Sequence, residues 1–350
     1  MGMFILRRLG VMILTALCLT FIVFFLTNLY PNLEKLAKTQ GNFRMSETEV
    51  ATYLDNRGFT QNVFVKYGEW LGVLPGYVIE GSDGKTRARC AANSTFEDRD
   101  ALPTYCGVLQ GYWGQSWVFK EPVADVVATR LTLTGVLMFW VMLLMVPGAL
   151  IVGVLAGMRE GSRLDRSLST GAIITTATPE YVSGVVLIAV FTSSAVGLKW
   201  FKGSATSAME TVTFEAFFLP VLTIALYGLG YIARMTRASM AEVMTSQYIR
   251  TARLKGVSFR NIVLRHALRN ALIAPFTVIM LQIPWLLNGV VIVETLFNYK
   301  GFGWTLVQAA GNNDIDLLLA VSVVSVIVVL ITQLISDVGY VFLNPRISVT

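Results

Sequence analysis

Few side chains in this chain are suited to chemistry, and they are scattered. The single histidine, His266, lies among arginines with no Cys, Asp or Glu cluster at ligand spacing, and reads as part of a helical surface. Gly84-Lys85-Thr86 imitates the end of a phosphate-cradling loop, but the glycine needed five positions earlier is Ile79. No Gly-x-Ser-x-Gly elbow occurs, and Asn93-Ser94-Thr95 fits a glycosylation pattern too common to carry weight. Of the three cysteines, Cys18 falls in an apolar run and reads as a small core residue. Cys90 and Cys106 stand sixteen apart in a polar stretch, compatible with a disulfide or with two isolated thiols. That leaves acids within apolar runs, where an ionisable group is costly and functional by default. Glu180 either lines a polar pathway, meeting a solute amine or a base, or is satisfied by a neighbouring hydroxyl such as Thr178. Glu294 either anchors a gate or snorkels to an interface, and Asp337 suits a pair with a loop arginine. No catalytic set emerges.

The elements that hold these residues follow from composition. The 350 residues are 54% hydrophobic and only 14% charged, whereas a soluble domain carries about 25% charge. Too few ions remain to cover a water-facing surface, and disorder is excluded by the same numbers. Crossing a bilayer core of about 30 Å takes about 20 apolar residues. Six stretches qualify, at roughly 9–30, 131–158, 167–197, 217–233, 272–293 and 317–343. The first lacks a small-residue cleavage site and reads as a retained helix. Pro147, Pro179, Pro275 and Pro284 lie within spans, where neighbouring helices can satisfy the freed backbone groups. The expectation is an all-α membrane protein.

Lysine and arginine orient it. The N-terminus, the 159–166 and 234–271 loops and the tail together hold fourteen Lys and Arg against three acids. The 31–130 segment holds eleven against twelve. Both termini are therefore expected inside and the long segment outside. The basic balance is the positive-inside pattern and anionic lipid, so no nucleic acid is called for. The chain divides into 1–30, with the first span; 31–130, an outer segment whose periodicity indicates no firm secondary structure; 131–343, five spans around the 234–271 loop; and a 344–350 tail.

Within that loop, Met240, Val243 and Met244 at helical spacing predict an amphipathic helix over 238–248. A second short helix over 248–255 stops at Gly256, a natural left-handed terminator. A short exposed helix held between two spans suits a mechanical contact with another protein. The same composition also suits a basic loop resting on headgroups.

The run TRASMAEVMTSQYIRTARLKGVSFRNIVLRHALRNALIAP resembles the inner loop of permease subunits of bacterial ABC importers, in the oligopeptide, dipeptide and nickel branch. FILRRLG, GYWGQSWVFKEPVADVVATRLTLT, REGSRLDRSL, VVIVETLFNYKGFGWTLVQAA and LISDVGYVFLNPRI resemble other blocks of that branch, in order, over about 1–30 and 110–350. The resemblance implies a type I importer permease fold in the inner membrane. It implies a second homologous permease, two ATP-binding subunits and a periplasmic substrate-binding protein as partners. ATP and Mg would then be bound on the partner ATPases, with no cofactor and no catalysis on this chain. The loop pattern of Glu-Ala-Ala, three residues, Gly is occupied by Arg250-Thr251-Ala252 and Gly256. On this resemblance Tyr248, Arg250, Thr251, Ala252, Arg253, Lys255 and Gly256 form the coupling helix, Ala252 and Gly256 allowing close approach to the ATPase. Where the superfamily continues to Leu-Pro, this chain has Leu272-Ile273-Ala274-Pro275, and 31–109 is longer than the branch shows. The hypothesis for 31–109 is a cap contacting the binding protein, or else a lineage-specific decoration. Short peptides are the default solute, though related permeases carry nickel chelates, opines or oligosaccharides. A secondary transporter would show more intramembrane charges and internal repeats.

Overall fold

The computed structural model describes residues 2–80, 86–90, 103–193 and 198–343. Gly84, Lys85, the Asn93 motif, the end of the third expected span at Gly197 and the tail from Asn344 lie outside the described residues. Along the chain, α1 (Gly2–Thr27) leads to three short helices, α2 (Tyr30–Gln40), α3 (Glu47–Asp55) and α4 (Val63–Leu71). A two-stranded antiparallel hairpin follows, β1 (Val78–Glu80) with β2 (Thr86–Ala88). Next come α5 (Val123–Gly157), α6 (Arg163–Ala177), α7 (Glu180–Phe191), α8 (Phe214–Met244) and α9 (Gln247–Leu254). After α10 (Phe259–Asn261), a π-helical turn (Ile262–Ala267) and α11 (Leu268–Ala271), the chain ends in α12 (Ile273–Leu296), α13 (Phe302–Gly311) and α14 (Ile315–Leu343). Among the described residues the regular structure is helical apart from that hairpin and an isolated bridge between Gln115 and Pro122, neither of which the all-α expectation included.

Four helices, α1, α5, α8 and α14, are long and apolar enough to cross a membrane, and two bent pairs bring the number to six if each pair is one crossing. The third expected span is one of these pairs: α6 and α7 meet at 105°, not as a straight helix. The break falls at Thr178-Pro179, because proline drives the residue before it out of helical geometry. Thr178 is extended, with ψ 121°. The fourth span is longer than expected. α8 runs unbroken past Arg234 and Arg237 to Met244, so the expected 238–248 helix is its last turns only as far as Met244, and Gln247 and Tyr248 open α9.

The chain forms two compact units. One comprises Gly2–Leu131 and Thr305–Ile327. Its core joins Phe24, Leu33, Leu36, Val50, Leu54, Trp70, Ile315 and Leu319. In the 31–130 segment, where periodicity indicated no firm secondary structure, local signals mark the helices: Ser46 and Glu49 form a capping box on α3, Asn62 caps α4, and Gly72 ends α4 at φ +86°. Val78, Ile79 and Glu80 pair with Ala88, Arg87 and Thr86. Cys90, just after β2, is disulfide-bonded to Cys106, with Cα atoms 5.4 Å apart. Cys18 is not a core residue. It is exposed, because the buried positions of α1, Thr20, Phe24 and Thr27, lie on another face.

The other unit comprises Thr132–Trp304 and the chain from Val328. α8 is its post, with sixteen described residues buried. Glycines let neighbours close on it: a Cβ at Gly157 of α5 would meet Arg237 O at 2.6 Å, and one at Gly153 would meet Ala233 O at 2.6 Å. Leu137, Met145, Ile224, Ile232, Leu286, Phe297 and Tyr299 complete this core.

Candidate functional site

The candidate site is α9 and the turns that root it. Ile249 and Ala252, three residues apart, are the buried face of α9 and pack with Met240, Met244, Ile262, Val263 and Ala267. Tyr248, Arg250, Thr251, Arg253, Lys255 and Gly256 are exposed. The helix stops in a Schellman arrangement: Gly256 adopts φ +75° and Val257 N–H donates to Ala252 O at 3.2 Å. Val257 then turns inward against the same cluster. The Asn270 side-chain amide donates to the Tyr248 hydroxyl at 2.9 Å, and Ser239 Oγ donates to Ala271 O at 2.8 Å, tying the loop to both flanking segments.

Ala252 packs into the chain itself, 8% exposed, because Ile249 one turn earlier sets the buried side. Leu254, which the sequence reading passed over, is 82% exposed among the cations. The signal was present: two positions after Ala252 falls on the opposite side of a 3.6-residue helix.

An ion pair, also missed, ties the 159–166 turn and α6 to α8. Arg237 donates through Nε to Asp165 Oδ1 at 3.0 Å and through an Nη to Oδ2 at 2.8 Å. Asp165 also accepts from Gly161 N–H and Ser169 Oγ, and Glu160 lies 3.5 Å from Arg237. The Asp165 side chain is 4% exposed and that of Arg237 32%. Asp165→Ala strands a guanidinium and two further donors; discounted for the exposure of Arg237, the expected loss is about 2–3 kcal/mol. An unchanged thermal midpoint for the detergent-solubilised variant would assign the pair no structural part.

Of the three acids within apolar runs, Glu180 and Glu294 diverge. Glu180 opens α7 immediately after the break, and its Oε1 is buried with no hydrogen-bond partner among the described residues. Thr178 is not that partner, since its hydroxyl donates to Ile174 O at 2.8 Å. Glu180 remains a candidate for the pathway. Glu294 does not snorkel: it is fully buried, accepting from Thr134 Oγ1 and, at 2.8 Å, from Trp304 N–H. Phe302 N–H in turn donates to Thr134 Oγ1 at 2.7 Å. This geometry is a staple joining α5, α12 and the start of α13. Among the described residues no group of three or more His, Cys, Asp or Glu is placed to hold a metal ion.

Comparison with known proteins bears on the family of the chain. Residues 149–349 match the family described as binding-protein-dependent transport system inner membrane component. The oligopeptide transport system permease protein AppB of Bacillus subtilis is 28% identical over 87% of this chain and 87% of its own length. A probable peptide ABC transporter permease protein, y4tP, of Sinorhizobium fredii is 35% identical, covering 69% of this chain and 77% of itself. The glutathione transport system permease protein GsiC of Escherichia coli K12 is 34% identical over 68% and 76%. Among solved structures, an inward-facing MetNI methionine ABC transporter chain aligns with 63% of this chain and 96% of its own, at 19% identity and TM-score 0.47. A family match over more than half of the chain, joined to relatives above 30% identity across two thirds of it, is decisive: this chain belongs to the binding-protein-dependent transport system inner membrane components, the permeases of ABC importers.

Proposed function

We propose that this permease imports short peptides, forming half of a pathway beside a second homologous permease. Two ATP-binding subunits drive it, and a periplasmic binding protein delivers the solute. The substrate class is that of the relatives named for oligopeptides, peptides and glutathione. The observation that carries the mechanism is α9: a short helix rooted by Ile249 and Ala252 while Tyr248, Arg250, Arg253, Leu254 and Lys255 are exposed. On this reading both termini and α9 are cytoplasmic, and Leu254 and the cations dock on an ATPase. Rotation of that subunit on ATP binding then levers α8, to which α9 is packed. Alternating access requires that ATP and loaded binding protein favour different permease states, since equal affinity for both shifts nothing.

Leu254 is the sharpest test, because it makes no buried contact that folding needs. Burying a leucine at an interface is worth about 1.5–3 kcal/mol, so Leu254→Asp is expected to weaken ATPase association by about tenfold or more. Membrane insertion and the thermal midpoint of the isolated chain stay as in the wild type. Co-purification of the ATPase subunits in normal amount with Leu254→Asp would remove α9 from the coupling role.

A further inference from the structure

A second site lies far along the chain from α9, wholly within the unit formed by Gly2–Leu131 and Thr305–Ile327. A cavity of about 650 Å³ opens there, within the roughly 300–1,000 Å³ of small-molecule sites. Its walls mix aromatic faces from Trp70, Tyr77 and Tyr112 with charge of both signs. Arg57, Lys66, Arg87, Arg89 and Lys120 contribute five cations, against the three acids Glu69, Asp314 and Asp316. Several of these groups are consumed by the fold. Lys66 Nζ donates to Asn28 Oδ1 at 3.1 Å and to Phe59 O at 2.9 Å. Asp314 accepts from Ser116 Oγ at 2.6 Å and from Val118 and Leu317 N–H.

Two donors are not consumed. Arg89 Nε and Trp117 Nε1 are buried, and neither has a hydrogen-bond partner among the described residues. An unmatched buried donor costs about 1–3 kcal/mol, so two around one cavity call for an explanation. Both groups donate and neither accepts, so what satisfies them must present acceptor oxygens. Glu69 and Asp316 face Arg89 electrostatically and balance its charge without meeting Nε. The disulfide holds the strand end from which Arg89 projects, since Cys90 is its neighbour and is bonded to Cys106. Arg89 N–H also donates to Tyr77 O at 3.0 Å, fixing the arginine backbone at the cavity wall.

We propose that this cavity binds a small carboxylate-bearing solute, its carboxylate oxygens accepting from Arg89 Nε and Trp117 Nε1 and its apolar part lying against the aromatic wall. An ammonium on the same solute would meet Glu69 and Asp316, so a short peptide satisfies both signs, while a simple organic acid satisfies the donors alone. The site depends neither on α9 nor on the direction of transport.

The test is equilibrium binding by calorimetry to the full-length chain in nanodiscs, with no binding protein present. The probes are the dipeptide Ala-Phe, its C-terminal carboxamide, and 3-phenylpropionate. At least one of the two acids is expected to bind saturably, with the carboxamide about tenfold or more weaker, as expected when a charge-assisted bond becomes neutral. Binding confined to the dipeptide identifies a peptide source; binding of 3-phenylpropionate identifies an organic acid. Arg89→Gln is expected to weaken the bound acid by about tenfold or more. Trp117→Phe, which keeps the ring and removes one N–H, is expected to weaken it by about fivefold and guards against misfolding of the arginine variant. No saturable binding of either acid, or binding indifferent to both substitutions and to the carboxamide, overturns the proposal.

Discussion

Gly256→Val is expected to cut ATP-coupled uptake by tenfold or more while leaving insertion and basal ATP hydrolysis near wild type. A valine Cβ at Gly256 would meet nothing within 4 Å, so steric clash is not the cause. The cause is the backbone, held at φ +75°, where an L-residue with a branched β-carbon pays about 1–2 kcal/mol. The cheapest relief is to unwind the last turn of α9, giving up the Val257-to-Ala252 bond. That turn carries Arg253, Leu254 and Lys255, so the surface proposed to dock on the ATPase is redirected as the helix end melts. With α9 only eight residues long, little regular helix remains to hold the rest. Asparagine tolerates the left-handed region, so Gly256→Asn is expected to keep most of the uptake. The pair of substitutions separates conformation from side-chain bulk. Equal transport by the valine and asparagine variants would contradict the argument from φ.

What the sequence made readable, and what it hid, follows from the range of the interactions involved. Long apolar runs announce spans because the bilayer demands length, and Gly256 announces a helix end because few residues take its φ. Those are local demands. Ser46 with Glu49, and Asn62 before α4, were equally local, and they mark α3 and α4 inside a segment whose polarity masked them. The extent of α8 was hidden for a different reason. Arg234 and Arg237 read as loop charges, yet Arg237 continues the helix because Asp165, 72 positions earlier, pairs with it. Pro179 was legible as a residue but not in its consequence: Pro147, Pro220 and Pro284 sit inside continuous helices, whereas Pro179 breaks one. The direction of Ala252 depended on the core that α9 meets, and the carboxylate of Glu294 on a threonine 160 positions away. Such pairings leave no periodic trace.

Glu294→Ala is expected to be the most destabilising single substitution considered, and its pattern separates a staple from a gate. The carboxylate is fully buried and accepts from Thr134 Oγ1 and Trp304 N–H. Gly301 leaves it no spare room, since a Cβ there would overlap the carboxylate. Beside it, Tyr299 N–H donates to Glu294 O at 2.8 Å, and the Tyr299 hydroxyl donates to Leu133 O at 2.8 Å. The turn after α12 is thus held to α5 twice, by the Tyr299 hydroxyl on Leu133 O and by the Glu294 carboxylate through Thr134. Alanine removes that acceptor and leaves buried donors with no water to satisfy them, a loss of about 3–5 kcal/mol. Glutamine keeps the volume and one oxygen but sets an N–H₂ against a donor, so Glu294→Gln is expected to lose about 1–2 kcal/mol. Thermal midpoints of the solubilised protein should therefore fall in the order wild type, glutamine, alanine. A staple predicts that uptake by Glu294→Gln, measured well below its midpoint, returns to near the wild-type rate. If the glutamine variant kept the wild-type midpoint yet lost uptake, the acid would be moving in the transport cycle, and the staple would have to be given up.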